Sequence, residues 1–172
     1  LASASERELA DVFFRYGEER HSRRIARAIV RARQQEPMVS TGQLAELVKQ
    51  AHPAWEKHKH PATRVFQPIR IHLNRELEEL QQCLVQVIDV LRIGGRLVVI
   101  SFHSLEDRAV KQYINRQVKG DDFPPGVPVQ ASELHPRLKR VGKPRKAAAP
   151  EVDGNPRARS ARLRAARKRA AA

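Results

Sequence analysis

The stretch that most constrains this chain is Gly94-Gly95-Arg96-Leu97-Val98-Val99-Ile100-Ser101-Phe102-His103-Ser104-Leu105-Glu106-Asp107-Arg108. Two glycines make a tight turn. The uncharged, β-branched run Leu97–Ile100 then reads as a strand buried on both faces. Polar groups return abruptly at Ser101-Phe102-His103-Ser104. Ser104, three residues before Asp107, predicts the N-cap of a following helix. Open α/β sheets bind ligands just beyond the carboxyl ends of their strands, so Ser101, His103 and Ser104 form a candidate site.

Upstream the pattern is helical. Ser5 with Glu8 is a capping box, and the first helix is expected to reach Tyr16, stopped by Gly17. A second helix is expected over 18–35, with Ile25, Ala28, Ile29 and Ala32 at the helical period. Arg20, Arg24, Arg27 and Arg31 form a stripe on another face, either solvated or tracking phosphates. Ser40 and Gln43 open a third helix through Leu44, Leu47, Val48 and Ala51. The link 52–60 carries Trp55 and the histidines His52, His58 and His60. With no cysteine nearby and few acids, it reads as a polar loop and no metal is expected.

From Pro61 a long helix is expected, with Leu73, Leu77, Leu80, Leu84, Val87, Ile88 and Leu91 on one side. Pro68 should kink or interrupt it. After the 94–101 strand comes a helix over about 105–118, then a proline-rich loop over 119–136. At the end, Ala161, Leu163 and Ala165 alternate with Arg162 and Arg164, the period of a strand, although the composition also suits a helical tail.

Charge is uneven. The formal net charge is +14, and residues 137–172 hold 13 Lys/Arg against Glu151 and Asp153, a net of +11. Such a basic segment points to a polyanion, most often nucleic acid; the plainer reading is a solvated tail. No apolar run approaches the length of a membrane span. The single cysteine, Cys83, excludes an internal disulfide, and a reducing cytoplasm is the expected location. The chain begins at Leu1 without a signal pattern, which reads as a partial chain rather than a processed secreted one.

The 94–108 stretch resembles a late strand and turn of the bacterial small-subunit (16S) rRNA cytosine-N4 methyltransferases. Four more blocks match in the family's order: Tyr16-Gly17-Glu18-Glu19-Arg20, Arg24-Ile25-Ala26-Arg27-Ala28-Ile29-Val30, His60-Pro61-Ala62-Thr63-Arg64 and Asn155-Pro156-Arg157-Ala158-Arg159-Ser160. Pro68 departs from the helix-former common in the family. The resemblance covers only the family's C-terminal half. It implies an α/β fold: a partial class I (Rossmann-like) methyltransferase domain over 61–172, plus an inserted helical lobe over 1–60. It favours a strand at the C-terminal end. It further implies S-adenosylmethionine (SAM) as cofactor and 16S rRNA of the small ribosomal subunit as partner, with no membrane and no metal.

The cofactor's glycine-rich turn is not found. The eight glycines include no G-x-G, and no strand–turn–helix unit precedes Gly94. No cofactor residue is assigned in this chain, and this stretch alone is expected to be inactive. Asp122-Phe123-Pro124-Pro125-Gly126 and Asn155-Pro156-Arg157 do not have the order of the amine-orienting motif of amino methyltransferases. The cytosine amine is a poor nucleophile that must be oriented and must lose a proton. His103 could take that proton or hydrogen-bond the base edge; structurally it could tie the strand end to its neighbours. Ser101 and Ser104 stand beside it, Ser104 first as a helix cap. Arg108, Arg157, Arg159 and Arg162 join Arg20, Arg24, Arg27 and Arg31 as candidate RNA contacts, and Trp55 is a candidate stacking platform. Two other classes remain: a non-catalytic basic RNA-binding or ribosome-associated protein, and a Ser/His hydrolase, which no G-x-S-x-G elbow supports.

Overall fold

The computed structural model describes residues 1–53, 62–121, 123, 130 and 133–170. Trp55, His58, His60, Pro61 and the 122–126 motif apart from Phe123 lie outside them. The chain is mixed α/β and divides into two compact units, Leu1–Glu76 and Leu77–Ala172. The first unit therefore extends past the expected limit of residue 60.

The first unit contains helices α1 (Glu6–Gly17), α2 (Ser22–Gln35), α3 (Thr41–Ala51) and α4 (Thr63–Leu73). Both expected capping boxes form: the Ser5 hydroxyl accepts from the Glu8 amide, and that of Ser40 from the Gln43 amide. Apolar stripes meet in one core of Phe13, Ile25, Ile29, Val48 and Val65, with Ala62 and Leu44 beside them. Ala62 and Val65 are why α4 belongs to this unit rather than to the α/β unit.

Gly17 does not stop α1. The left-handed cap is Glu18, at φ 49°. Gly17 is small for another reason: a Cβ there would collide with the Arg64 carbonyl and lie 2.6 Å from the Pro68 ring. Proline offers no N–H to the carbonyl four residues back, and α1 approaches α4 at that notch. Pro68 accordingly sits buried inside an unbroken α4. The expected long helix breaks later, at Asn74–Arg75, where Arg75 adopts φ 51°.

Beyond that break run α5 (Glu76–Val90), β1 (Arg96–Ser101), α6 (Ser104–Lys119), β2 (Leu138–Arg140), β3 (Arg145–Lys146), α7 (Ala149–Gly154), a 3-10 turn (Pro156–Ser160) and β4 (Arg162–Lys168). The C-terminal segment is thus a strand. β4 pairs antiparallel with β1, β2 and β3, in the order β1-β4-β2 with β3 off that path. The core of this unit joins Leu84, Ile88, Leu97, Val110, Ile114, Leu138 and Ala166. β1 is not buried on both faces as expected. Its burial alternates: Leu97 and Ser101 face inward, whereas Val98 and Ile100 are 53% and 55% exposed.

Two devices fix the start of β1. The Gly94 amide donates to the Lys168 carbonyl, and the Lys168 amide donates to that of Gly95. Gly94 uses φ +79°, open to glycine without strain. The Lys168 ammonium also donates to the carbonyls of Ile88 and Leu91 at the end of α5, at 2.7 Å each.

Candidate functional site

The strand-to-helix corner after β1 is built by a capping box, one residue earlier than the sequence suggests. His103, not Ser104, is the N-cap of α6. Its Nδ1 accepts from the Glu106 amide at 3.3 Å, and the Glu106 carboxylate accepts from the amides of Phe102 and His103 at 2.8 and 3.2 Å. Ser104 is the first helical residue and is exposed. The reason is an acceptor choice: an imidazole nitrogen does the work usually given to a hydroxyl. The His103 Nε2 stands 3.2 Å from a Glu106 oxygen. With Nδ1 engaged as the cap acceptor, the ring is not set up as a base at that nitrogen.

Ser101 ends β1 at 2% exposure, and its Oγ has no hydrogen-bond partner among the described residues. A buried hydroxyl without a partner costs stability.

Asp107 lies in the first turn of α6, where an acid suits the helix N-terminus, and is also held from β4. Arg164 donates to both of its oxygens, at 2.6 and 2.9 Å, and Arg162 lies 3.7 Å away. The register explains this: Arg162 stands opposite Ser101 and Arg164 opposite Val99. Directly opposed residues share a face, so both arginines lie on the inner face that carries Ser101. The hydrogen bonds from Arg164 hold the Asp107 carboxyl below the usual carboxylate range; partial burial opposes this, and the charges of Arg164, Arg162 and Lys111 reinforce it. Arg162, a candidate RNA contact, is thus engaged with Asp107. Arg164 was missed because its partner lies 57 residues away.

The other candidate RNA residues separate. Arg24, Arg27 and Arg31 are exposed on α2, and Arg27 pairs with Glu6 at 3.3 Å. Arg20 is exposed but lies in the turn before α2, so it is not part of that helical stripe. Arg108 is exposed on the first turns of α6. Arg157 and Arg159 are exposed on either side of buried Ala158, in a turn that Asn155 caps by accepting from the Arg157 amide. That arrangement gives the Asn-Pro-Arg-Ala-Arg-Ser block a structural logic. Sequence reading also missed a cross-strand row. Arg167 stands opposite Arg96 on one side and Lys139 on the other, and all three are exposed. Like charges directly opposed are unfavourable unless an anion lies over them.

The SAM cradle does not fit the described residues. The glycine pair precedes β1 instead of following a strand, so no step through the cofactor is drawn from this chain. No described helix is long and apolar enough to cross a membrane.

Comparison with known proteins agrees with the residue reading. The model of the MraW methylase family matches residues 1–169. A ribosomal RNA small subunit methyltransferase H of Chromohalobacter salexigens is 57% identical over 169 residues, covering 98% of this chain and 51% of the relative. The protein of the same name from Legionella pneumophila strain Paris is 57% identical over 157 residues, covering 91% and 51%. The chain therefore spans about half the length of the curated relatives it matches.

Proposed function

Since this chain belongs to the MraW methylase family, we propose that it is the C-terminal portion of a SAM-dependent methyltransferase acting on N4 of a cytosine in 16S rRNA. The observation that carries the reading is the unbroken match over residues 1–169 with relatives named as small-subunit rRNA methyltransferases. The exposed Val98, Ile100 and Phe102 support a further part of the domain, holding the cofactor, that packs beside β1. The helical unit is read as the inserted lobe.

Within this reading the chain supplies the substrate corner. The Ser101 hydroxyl is the group available to orient the base. His103 is a positioning residue that fixes the corner through Glu106, while Ser104 opens α6 at its rim. Phosphates of the rRNA are met by Arg24, Arg31, Arg108, Arg157 and Arg159, by Arg20 and Arg27, and by the row Arg96, Arg167 and Lys139; Arg162 acts through Asp107.

Methyl transfer to small-subunit particles by the full-length enzyme tests the corner. His103→Ala is expected to lower turnover by about 100-fold by misplacing the corner, and His103→Asn, which keeps a capping acceptor, to recover most of it. Normal turnover per folded molecule in His103→Ala would remove His103 from the mechanism. The 172-residue chain is expected to bind single-stranded RNA with log affinity falling near −4 per log unit of salt, for about six neutralised phosphates. Exchanging Arg96, Lys139 and Arg167 for Gln should flatten that slope by about 2. RNA binding without methyl transfer in the full-length protein would favour a ribosome-associated binding protein.

A further inference from the structure

The helical unit gathers three ligand-type side chains that the methyl-transfer reading does not use. Glu19 lies in the turn between α1 and α2, His21 is the N-cap of α2, and His52 is the C-cap of α3. The sequence groups His52 with His58 and His60; the fold groups it with Glu19 and His21. Glu19 is 1% exposed. Its Oε1 accepts from the His21 amide at 2.7 Å and stands 3.5 Å from His52 Nε2. Its Oε2 is buried and has no hydrogen-bond partner among the described residues. The two imidazoles meet edge to face, with centroids 4.9 Å apart and planes at 82°. One ligand atom from each of the three lies within 4.8 Å of the others.

We propose that Glu19, His21 and His52 form a site for a divalent transition-metal ion of the zinc type. The donor set selects the class. Two imidazoles and one carboxylate suit zinc, whereas calcium and magnesium need more oxygen ligands than one carboxylate supplies. No thiolate belongs to the cluster, which disfavours the softest metals. One donor pair already has the spacing an ion needs. Tetrahedral bonds of about 2.0–2.1 Å place neighbouring donors about 3.4 Å apart, and Glu19 Oε1 stands 3.5 Å from His52 Nε2. The ion would engage the Glu19 carboxylate, whose Oε2 has no hydrogen-bond partner among the described residues, and clip the α1–α2 turn to the end of α3. Three protein donors leave a fourth position for water or another donor.

The test uses the 172-residue chain, stripped with chelator and titrated calorimetrically with zinc chloride. One ion per chain is expected, bound in the micromolar range or tighter, with a raised unfolding midpoint. Cobalt(II) should give the intense visible bands of a tetrahedral site. Glu19→Gln and His52→Gln should each weaken zinc binding by about 100-fold or more. His135→Gln, on an exposed pair with Asp121 elsewhere in the chain, should leave it unchanged. Far-UV circular dichroism confirms that each variant folds. Should Glu19→Gln fail to fold, the more exposed cap variant His52→Gln decides. The absence of saturable binding would overturn the site and leave a His52–Glu19 contact with a structural role alone. Binding that survives the His21→Gln/His52→Gln double substitution would overturn it equally.

Discussion

The helical unit and the α/β unit solve burial differently. In the helical unit, Phe13, Ile25, Ile29, Val48 and Val65 are fully buried, because amphipathic helices can turn their stripes toward one another, and Phe14, Val39 and Leu73, each more than half exposed, lie on three separate segments. In the α/β unit, Ile88, Val110, Leu138 and Ala166 are as deeply buried, yet Val85, Val90, Val98, Ile100 and Phe102 remain more than half exposed. A helix has one stripe to cover, but a sheet has two faces, and here only one of them is lined by the core. A bundle can close from local sequence, whereas this sheet keeps Val98 and Ile100 on an open side.

The strongest way to break this contrast is a cavity in the closed unit. Phe13→Ala should cost about 3–5 kcal/mol. Hydrogen exchange should accelerate throughout α1–α4 while β1 and β4 keep their protection; equal loss in both units would show that they unfold as one. Next in size is the Asp107–Arg164 clamp of the α/β unit. Asp107→Asn should cost about 1.5–3 kcal/mol at neutral pH. Arg164 lowers the native Asp107 pKa, so the clamp's contribution is present above the unfolded value of about 4 and is lost as pH falls through the native one. Urea midpoints of the wild type and the variant should therefore converge in acid, and a constant gap would refute the linkage.

Matched caps sharpen the comparison at a smaller scale. Ser5→Ala in the helical unit and His103→Ala in the α/β unit should each cost about 1 kcal/mol, as read from thermal midpoints. A much larger loss at His103 would mean that the corner carries more than a cap. The smallest effect is expected on the open side. Ile100→Ser should change stability by less than about 0.5 kcal/mol while reducing self-association in sedimentation velocity; a large destabilisation would show that Ile100 is buried in solution.

Much of this was legible in the sequence, because local patterns set local structure. Ser5/Glu8 and Ser40/Gln43 mark helix starts, and alternation across Ala161–Ala165 marks β4. Most of what failed depended on partners distant in sequence. The α6 cap is the local exception, falling on His103 one residue before Ser104. Pro68 looks like a breaker until Gly17 is seen packed against it. Asp107 reads as a helix-terminus charge, with nothing nearby to announce that Arg164 grips it from β4. The same limit hid the Glu19–His52 pairing, since nothing in the spacing of residues 19, 21 and 52 announces a meeting.

One feature of the topology bears on how the chain is made. β4 is the shared partner of β1, β2 and β3, and it is also the last element in sequence. Among the described residues β1 has Arg162–Lys168 as its strand partner, whereas α1–α4 complete their contacts within the first 76 residues. When these 172 residues are translated by themselves, the helices settle first, and β1 waits with its apolar side chains unprotected, the interval in which a chaperone or aggregation competes with folding. Such a nascent chain, stalled just before Arg162, should show protected amides in α1–α4 and none in β1.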